Sequence, residues 1–458
     1  MSTIFALATS HSRSGVAIFR ISGKDARRTL ADLGCSENIE PRRASLQRLI
    51  AVKRNDGNSQ IDNKGNGDDV IDSALVLYFS APNSFTGEDI VELHIHGSIA
   101  VIKDLTSYLS SLDYLKMAEA GEFSRRAFEN GKMDLTQVEG LADLIDAETK
   151  MQQKQAIRQI DGELEGLYES WRYQLIEILA NLEAYIDFPD EDIPDEVISS
   201  VNDKVASLLS DLEIHSKDDR GERLRNGLYA TIIGAPNVGK SSLLNYLAKR
   251  DVAIVSDIAG TTRDMIEVHL DIGGYPLILT DTAGLRESDN IIENEGIKRA
   301  IKRSKNADFK IAMFDYNELP SLDKITLDIV DDETICVINK CDDDKADIPD
   351  DLVNKGYLTI SLNKKSGIDD LLKKIQERIE ENISPTNSAV FTRQRHLNQI
   401  NETISHIERF INAFKNNEPL ELSVEDLRLS ANSLGKITGK IDVEDLLDKI
   451  FSSFCIGK

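Results

Sequence analysis

Cysteine is scarce in this 458-residue chain. There are four, Cys35, Cys336, Cys341 and Cys455, without the paired spacing of a zinc site or a disulfide framework. That scarcity fits a reducing compartment. Positive charge is also in deficit: 54 basic residues face 79 acidic ones, for a net charge of −25. A general nucleic-acid coat is thereby excluded, since binding to phosphates wants a basic surface. Local basic patches remain at Arg20 to Arg28, Arg42 to Arg54 and Arg393 to His396. No apolar run approaches a bilayer span. The N-terminal residues lack the basic start and apolar core of a secretory signal. The expectation is a cytoplasmic protein with no membrane segment.

What is present is enough to build several cores. Hydrophobic residues make up 41% and charged residues 29%, and a chain of this length holds roughly two to four domains. Residues 1–120 look mixed. Val16 to Ile21 and Ala74 to Phe79 are β-like, and Ile90 to His96 alternates as a half-buried strand does. Asn55 to Asp69 is rich in Asn, Gly and Asp and reads as a loop. Residues 121–224 turn helical. Leu164, Leu167, Trp171, Leu175, Ile178, Leu182 and Tyr185 mark one face of a long amphipathic helix. It should stop near Asp187, where Asp187 to Glu196 forms an acidic, proline-containing connector.

Over 225–382 short apolar strands alternate with helical patterns. Tyr229 to Ile233, Leu277 to Thr280, Phe309 to Phe314, Thr334 to Ile338 and Tyr357 to Ile360 predict a parallel sheet covered on both faces. Residues 383–458 are helical again. The fold class expected is α+β multidomain: a mixed N-terminal domain, a helical domain in two segments, and an α/β domain inserted between them.

The α/β segment carries an ordered set of loops. Gly234-Ala-Pro-Asn-Val-Gly239-Lys240-Ser241 follows a strand and opens a helix, the setting of a phosphate-binding loop. Its N–H groups and helix N-terminus suit a β-phosphate. Lys240 should reach the β- and γ-phosphates, and Ser241 should ligate Mg2+. Asp281-Thr282-Ala283-Gly284 follows a strand, with Asp281 set for the magnesium shell and Gly284 for the γ-phosphate. Asn339-Lys340-Cys341-Asp342 follows another. A buried carboxylate at Asp342 would accept from guanine N1–H and its amine, which adenine does not offer. Ser361-Leu362-Asn363 stands where such domains usually carry Ser-Ala-Lys, which leaves the side-chain part of that base contact open. Val238 and Ser242 complete the phosphate loop. Together these loops predict GTP binding at the carboxyl ends of the strands.

Regulatory GTPases place a water-positioning Gln just after Asp-x-x-Gly. Here that residue is Leu285, so another group must serve. Asp257-Ile258-Ala259-Gly260-Thr261-Thr262-Arg263-Asp264 occupies the place of a switch loop, with Thr262 as second magnesium ligand. Asn237, the Gly-Thr-Thr-Arg-Asp segment and Leu285 resemble the potassium-dependent translational GTPases. That resemblance implies K+ held by Asn237 and the carbonyls of Ser256, Ile258 and Thr261. A cation there would stabilise developing phosphate charge.

Val16-Ala-Ile-Phe-Arg20-Ile-Ser-Gly23, Pro82-Asn-Ser-Phe-Thr-Gly-Glu-Asp89, Gly121-Glu-Phe-Ser124 and Phe451-Ser-Ser-Phe-Cys-Ile-Gly-Lys458 closely resemble the MnmE (TrmE) family of tRNA-modification GTPases. The resemblance covers nearly the whole chain. It implies a homodimer formed through an N-terminal domain that binds a 5-formyl- or methylene-tetrahydrofolate carrier, with Arg20, Glu92, Lys132 and Lys458 matching the folate site. It implies Glu293 as the group orienting the attacking water, beside Lys240 and Gly284. The implied partner is MnmG (GidA), a flavoprotein that uses FAD. With it, an aminomethyl or carboxymethylaminomethyl group would be added to C5 of the tRNA wobble uridine. The residues by themselves leave other readings open. Glu92, His94 and His96 share one face of a strand and could be metal ligands or a polar pocket wall. A ribosome-assembly or folate-sensing GTPase would share the same loops. The role of Cys455 does not follow from the sequence.

Overall fold

A computed structural model describes the chain except residues 1, 37, 52–69, 188–194, 251, 255–266, 282–306, 344–347, 384–388, 417, 442–443, 453, 455 and 458, and gives only the backbone of 195–200, 281, 444–446 and 449. Two compact units emerge, Met1–Ala142 with Gly435–Lys458, and Asp143–Leu434.

The first unit is built on a six-stranded sheet. Its strands are β1 (Thr3–Leu7), β2 (Ser14–Ser22), β3 (Ser45–Ile50), β4 (Val70–Phe79), β5 (Ile90–Gly97) and β6 (Leu115–Met117). Their order is β3-β4-β5-β2-β1-β6. Only β1 and β6 run parallel. Period-two alternation sends Phe19, Ile21, Val76, Val91, Leu93 and Ile95 to one face, where the helix Ile99–Ser110 covers them with Ile102, Leu105 and Leu109. β1, β3 and β6 have no clear signature in the sequence. β1 is buried at all five positions and so does not alternate, and β3 is an edge strand with polar Ser45, Gln47 and Arg48.

The C-terminal residues belong to this unit. The helix Glu444–Ser452 brings Phe451 against Leu135 and Val138, and Phe454 joins the same cluster. Beyond it, Ile456 pairs with Ala120 in an antiparallel bridge.

The second unit contains the other sheet: β7 (Leu228–Gly234), β8 (Glu267–Ile272), β9 (Tyr275–Asp281), β10 (Phe309–Asp315), β11 (Thr334–Asn339) and β12 (Leu358–Thr359). The order is β12-β11-β10-β7-β9-β8. The expected parallel sheet needs one correction, because β8 pairs antiparallel with β9. Gly273 and Gly274, both at positive φ, form the tight turn between them. Two left-handed residues in succession match the twist of a two-residue hairpin, so the Gly-Gly pair was the signal for it. Both faces are covered. On one side the helix Ile368–Ile383 buries Ile368, Leu371, Ile375, Ile379 and Ile383, each contributing about 2 kcal/mol of transfer free energy.

The remaining elements of this unit are helical. Glu163–Asp187 ends where expected, and it and Gln394–Lys415 both pack along Asp195–Ser216. The acidic connector is shorter than expected, since helix resumes at Asp195.

Candidate nucleotide site and N-terminal basic site

The phosphate loop leaves β7 at Gly234 and enters the helix Lys240–Leu247. Gly234 packs against the carbonyl of Met313 on β10, where a Cβ would collide with that oxygen. Asn237 takes a left-handed conformation at φ 63° and Gly239 follows at φ 108°. At the start of the loop the carbonyls of Gly234 and Ala235 turn inward. The buried Lys240 ammonium donates to Gly234 O at 2.9 Å and Ala235 O at 2.8 Å. A cation therefore sits at the centre of the curl, ahead of a helix N-terminus whose partial charge is also positive. Val238 is buried, while Ser241 and Ser242 lie exposed on the first turn of the helix.

The loop after β11 locks onto this one. Asn339 Nδ2 donates to Val238 O at 2.8 Å, and Asn339 Oδ1 is buried without a hydrogen-bond partner. Lys340, at φ 67°, donates to Asp315 Oδ2 at 2.5 Å. Asp315 ends β10 directly opposite Asn339 in register. Burial pushes its carboxyl up, but donation from Lys340 and from the backbone and side chain of Asn317 outweighs this and holds it below the usual range.

Asp342 is exposed rather than buried, which corrects the sequence expectation. Its carboxylate is nevertheless fixed. Ser361 Oγ donates to Oδ1 at 2.5 Å and Asn363 Nδ2 to Oδ2 at 2.9 Å. Those two bonds, Ser361's first, lower its pKa. The loop after β12 thus addresses the carboxylate with both polar side chains, and Leu362 is half-buried between them. β12 itself is set by Ile360 N donating to Ile338 O at 2.8 Å, and Cys341 N returns a bond to Ile360 O at 3.2 Å. Phosphate cradle and carboxylate therefore stand at the ends of β7 and β11 in one sheet, with β10 between those two strands.

The first unit gathers a second polar group. Arg20 and Glu92 face each other across β2 and β5, with Nε to Oε1 at 2.9 Å. The guanidinium lies 5.6 Å from the centre of the Phe85 ring and 5.8 Å from that of Phe123, a geometry suited to cation–π attraction. It also reaches the carbonyl of Gly457 at 3.4 Å. His94 turns to Glu92 at 3.4 Å, and His96 turns away to Asp72 on β4 at 2.8 Å. Glu92, His94 and His96 therefore do not converge, and no three-residue cluster fit to hold a metal exists among the described residues. Lys132 lies beside Gly87, where a Cβ would come within 3.3 Å of its Cε.

The profile of the MnmE helical domain matches residues 135–455, and that of the GTP-binding protein TrmE N-terminus matches residues 3–132. The chain is 48% identical over its whole length to the tRNA modification GTPase MnmE of Paramagnetospirillum magneticum, covering 99% of that protein. It is 50% identical to the protein of the same name from Wolbachia of Drosophila simulans, again over all of this chain and 99% of the relative. A solved structure of Aquifex aeolicus Era bound to GDP and AlF4− is 27% identical over 39% of this chain and 66% of its own, with a TM-score of 0.27. This chain belongs to the MnmE family of tRNA modification GTPases.

Several residues singled out in the sequence lie outside the described residues: Ser256, Asp257, Ile258, Ala259, Gly260, Thr261, Thr262, Thr282, Ala283, Gly284, Glu293, Cys455 and Lys458. Asp281 is described by its backbone alone, as the last residue of β9. One residue with a clear place in the site was missed in the sequence. Asp315 holds Lys340, and its signal was a carboxylate closing an apolar strand at the ligand end of a parallel sheet.

Proposed function

We propose that this member of the MnmE family binds GTP between the Gly234–Ser241 loop and Asp342, and hydrolyses it to GDP and phosphate as a component of tRNA wobble-uridine modification. The observation that carries the reading is Asn339. It ties the loop that would hold the phosphates to the loop that would hold the base, and leaves a buried acceptor, Oδ1, between them. In this reading Lys240 gives up its loop carbonyls to phosphate oxygens, and Asp342 accepts from the guanine edge with its two oxygens already oriented. Ser241 and Thr262 would hold Mg2+, which neutralises phosphate charge when bound. Asn237 would hold K+ with the carbonyls of Ser256, Ile258 and Thr261, supplying positive charge where others use arginine. Glu293 would orient water, and Gly284 would sense the γ-phosphate.

We further infer the finer roles. Arg20, Glu92, Lys132 and Lys458 would bind the tetrahydrofolate carrier, and the cation held between Phe85 and Phe123 supports a flat anionic ligand there. A homodimer is supported by the outer face of the first sheet. Leu46, Leu75, His94 and Ile18 form one cross-strand row, in which Leu46 is 74% exposed and Leu75 39%. Exposed apolar rows of this kind mark interfaces. The flavoprotein MnmG would be the partner, and 1–120, 121–224, 225–382 and 383–458 the domain divisions. No described helix is long and apolar enough to cross a membrane.

The test is mass spectrometry of digested tRNA from cells lacking the gene, with and without its restoration. The C5-modified wobble uridine should vanish and return. An unchanged nucleoside profile would leave a folate-sensing or ribosome-assembly GTPase as the better reading. Replacing K+ by Na+ should slow GTP turnover by about a hundredfold, the scale of losing one transition-state contact. Asn237→Ala should erase the difference; equal rates for the unaltered chain in both salts would remove the potassium site alone.

A further inference from the structure

The second sheet is reached and left by the chain at one place. The segment entering it is the helix Arg220–Asn226, just before β7. The segment leaving it runs over 389–393 into the helix Gln394–Lys415. The two touch, since a Cβ on Gly221 would strike the carbonyl of Phe391. One carboxylate oxygen holds both. Asp143 Oδ1 accepts from Arg225 Nε at 2.8 Å and from Arg393 NH2 at 2.7 Å, and Asp143 is only 12% exposed.

The helix Lys150–Ile160 repeats the pattern. Gln152, Gln155 and Gln159 lie three and four residues apart, hence on one face. Gln152 Nε2 donates to Arg225 O at 3.0 Å and Gln155 Nε2 to Gly221 O at 2.8 Å, both on the entering segment. Gln159 Oε1 accepts from Thr392 on the leaving segment at 3.1 Å, and both residues are buried. At the start of the same helix, Met151 N donates to Gly274 O, at the hairpin turn that follows β8, at 2.9 Å. A capping box of Thr149 and Gln152 fixes that start.

We propose that Asp143 and this glutamine face form the joint through which the nucleotide state of the second sheet reaches the long helices, with Asp143 as the positioning residue. The proposal rests on the GTP reading above. One oxygen satisfies two guanidiniums only while the entering and leaving segments keep a fixed separation. Polar contacts packed between segments re-form in discrete arrangements rather than stretch. A rotation of the sheet about its two attachments therefore breaks or preserves the whole set, and the helix Lys150–Ile160 moves with it. No residue of the joint belongs to the nucleotide loops.

The test is hydrogen–deuterium exchange on the full-length chain with GDP or a non-hydrolysable GTP analogue, for the unaltered protein, Asp143→Asn, Asp143→Glu and Gln155→Leu. In the unaltered protein, exchange over Lys150–Ile160, Glu163–Asp187 and Gln394–Lys415 should differ between nucleotides. In Asp143→Asn and Gln155→Leu that difference should shrink about fivefold, the lower range of measured site-to-site coupling. Asp143→Glu should restore part of it. Guanine nucleotide should still bind, with the ratio of GTP to GDP affinity shifted by no more than that same fivefold, as the reciprocity of coupling requires. A full nucleotide response in both Asp143→Asn and Gln155→Leu overturns the joint, as does an unaltered protein that binds nucleotide without any response in these helices. If Asp143→Asn fails to fold, Gln155→Leu alone decides. If the unaltered protein binds no guanine nucleotide, the GTP reading falls instead.

Discussion

Asn339 and Gly239 fit together because one of them has no side chain: the amide nitrogen of Asn339 fills the space a Cβ at 239 would take, on its way to the carbonyl of Val238. The phosphate loop and the base loop are thus interlocked by one hydrogen bond and one missing atom. Gly239→Ala should fail twice, by this overlap and by its backbone at φ 108°. Asn339→Ala leaves Val238 O buried and unpaired, a loss of about 1–3 kcal/mol. Urea unfolding with and without GDP checks both. Nucleotide-independent stability that falls while GDP protection is fully kept would separate the lock from the ligand site.

Asp342 should hold its charge well into acid. Its pKa is lowered by Ser361 and then Asn363, so whatever the carboxylate contributes to guanine binding is present above the ordinary carboxylate range. It is lost only as pH falls through the depressed value. Ser361→Ala removes the larger cause and should move that loss to higher pH. Asp342→Asn should weaken discrimination against adenine nucleotides by about two orders of magnitude or more. Fluorescent-nucleotide titrations from neutral pH downward read both. A Ser361→Ala profile that overlays the unaltered one would show that the serine does not orient the carboxylate.

His215 makes the helices acid-sensitive. It is 8% exposed and lies edge-on to Tyr168, Trp171 and Phe391. Burial lowers its pKa from 6.5 to about 4, against a smaller opposing pull from Asp218. In the unfolded chain it takes a proton first, so stability is complete above 6.5 and declines as pH falls towards 4. The full shift is equivalent to about 3 kcal/mol. His215→Phe keeps a ring in the cluster and should flatten that decline. Thermal unfolding of both proteins between pH 7 and 4.5 makes the comparison; parallel curves would rule out His215 as the cause.

Gly457 seats the C-terminal residues on β1. At φ 96°, its α-carbon faces the carbonyl of Leu7 closely enough that a Cβ would overlap it. Its own carbonyl accepts from Arg20. Gly457→Ala should lift the last residues away while the helix Glu444–Ser452 stays packed through Phe451. Carboxypeptidase should then trim the variant about tenfold faster, as expected for ends no longer tied down. Equal trimming would mean that Ile456 and Phe454 hold the tail without the glycine.

Much of this was legible in the residues because the signals are local. A strand, a turn rich in Gly and a helix follow in sequence, so Gly234 to Ser241 declares its loop before any fold is known. The long helix from Glu163 announces itself by period and ends at Asp187 as expected. Strands without alternation gave no such signal. β1 is buried throughout and β3 is a polar edge, so both emerged only when their neighbours were in place. The Gly273-Gly274 turn was readable, but its consequence, one antiparallel strand in a parallel sheet, depends on what lies beside it.

The order of motifs and the family were determined by sequence alone, since each rests on residues close together in the chain. Tertiary structure decided which distant groups share a proton or a charge. Asp315 with Lys340, Asn363 with Asp342, Asp143 between Arg225 and Arg393, and Arg20 with Gly457 are pairings of this kind. Hydrogen bonds extend only about 3 Å, and chain distance says nothing about which partners come that close until packing has brought the segments together.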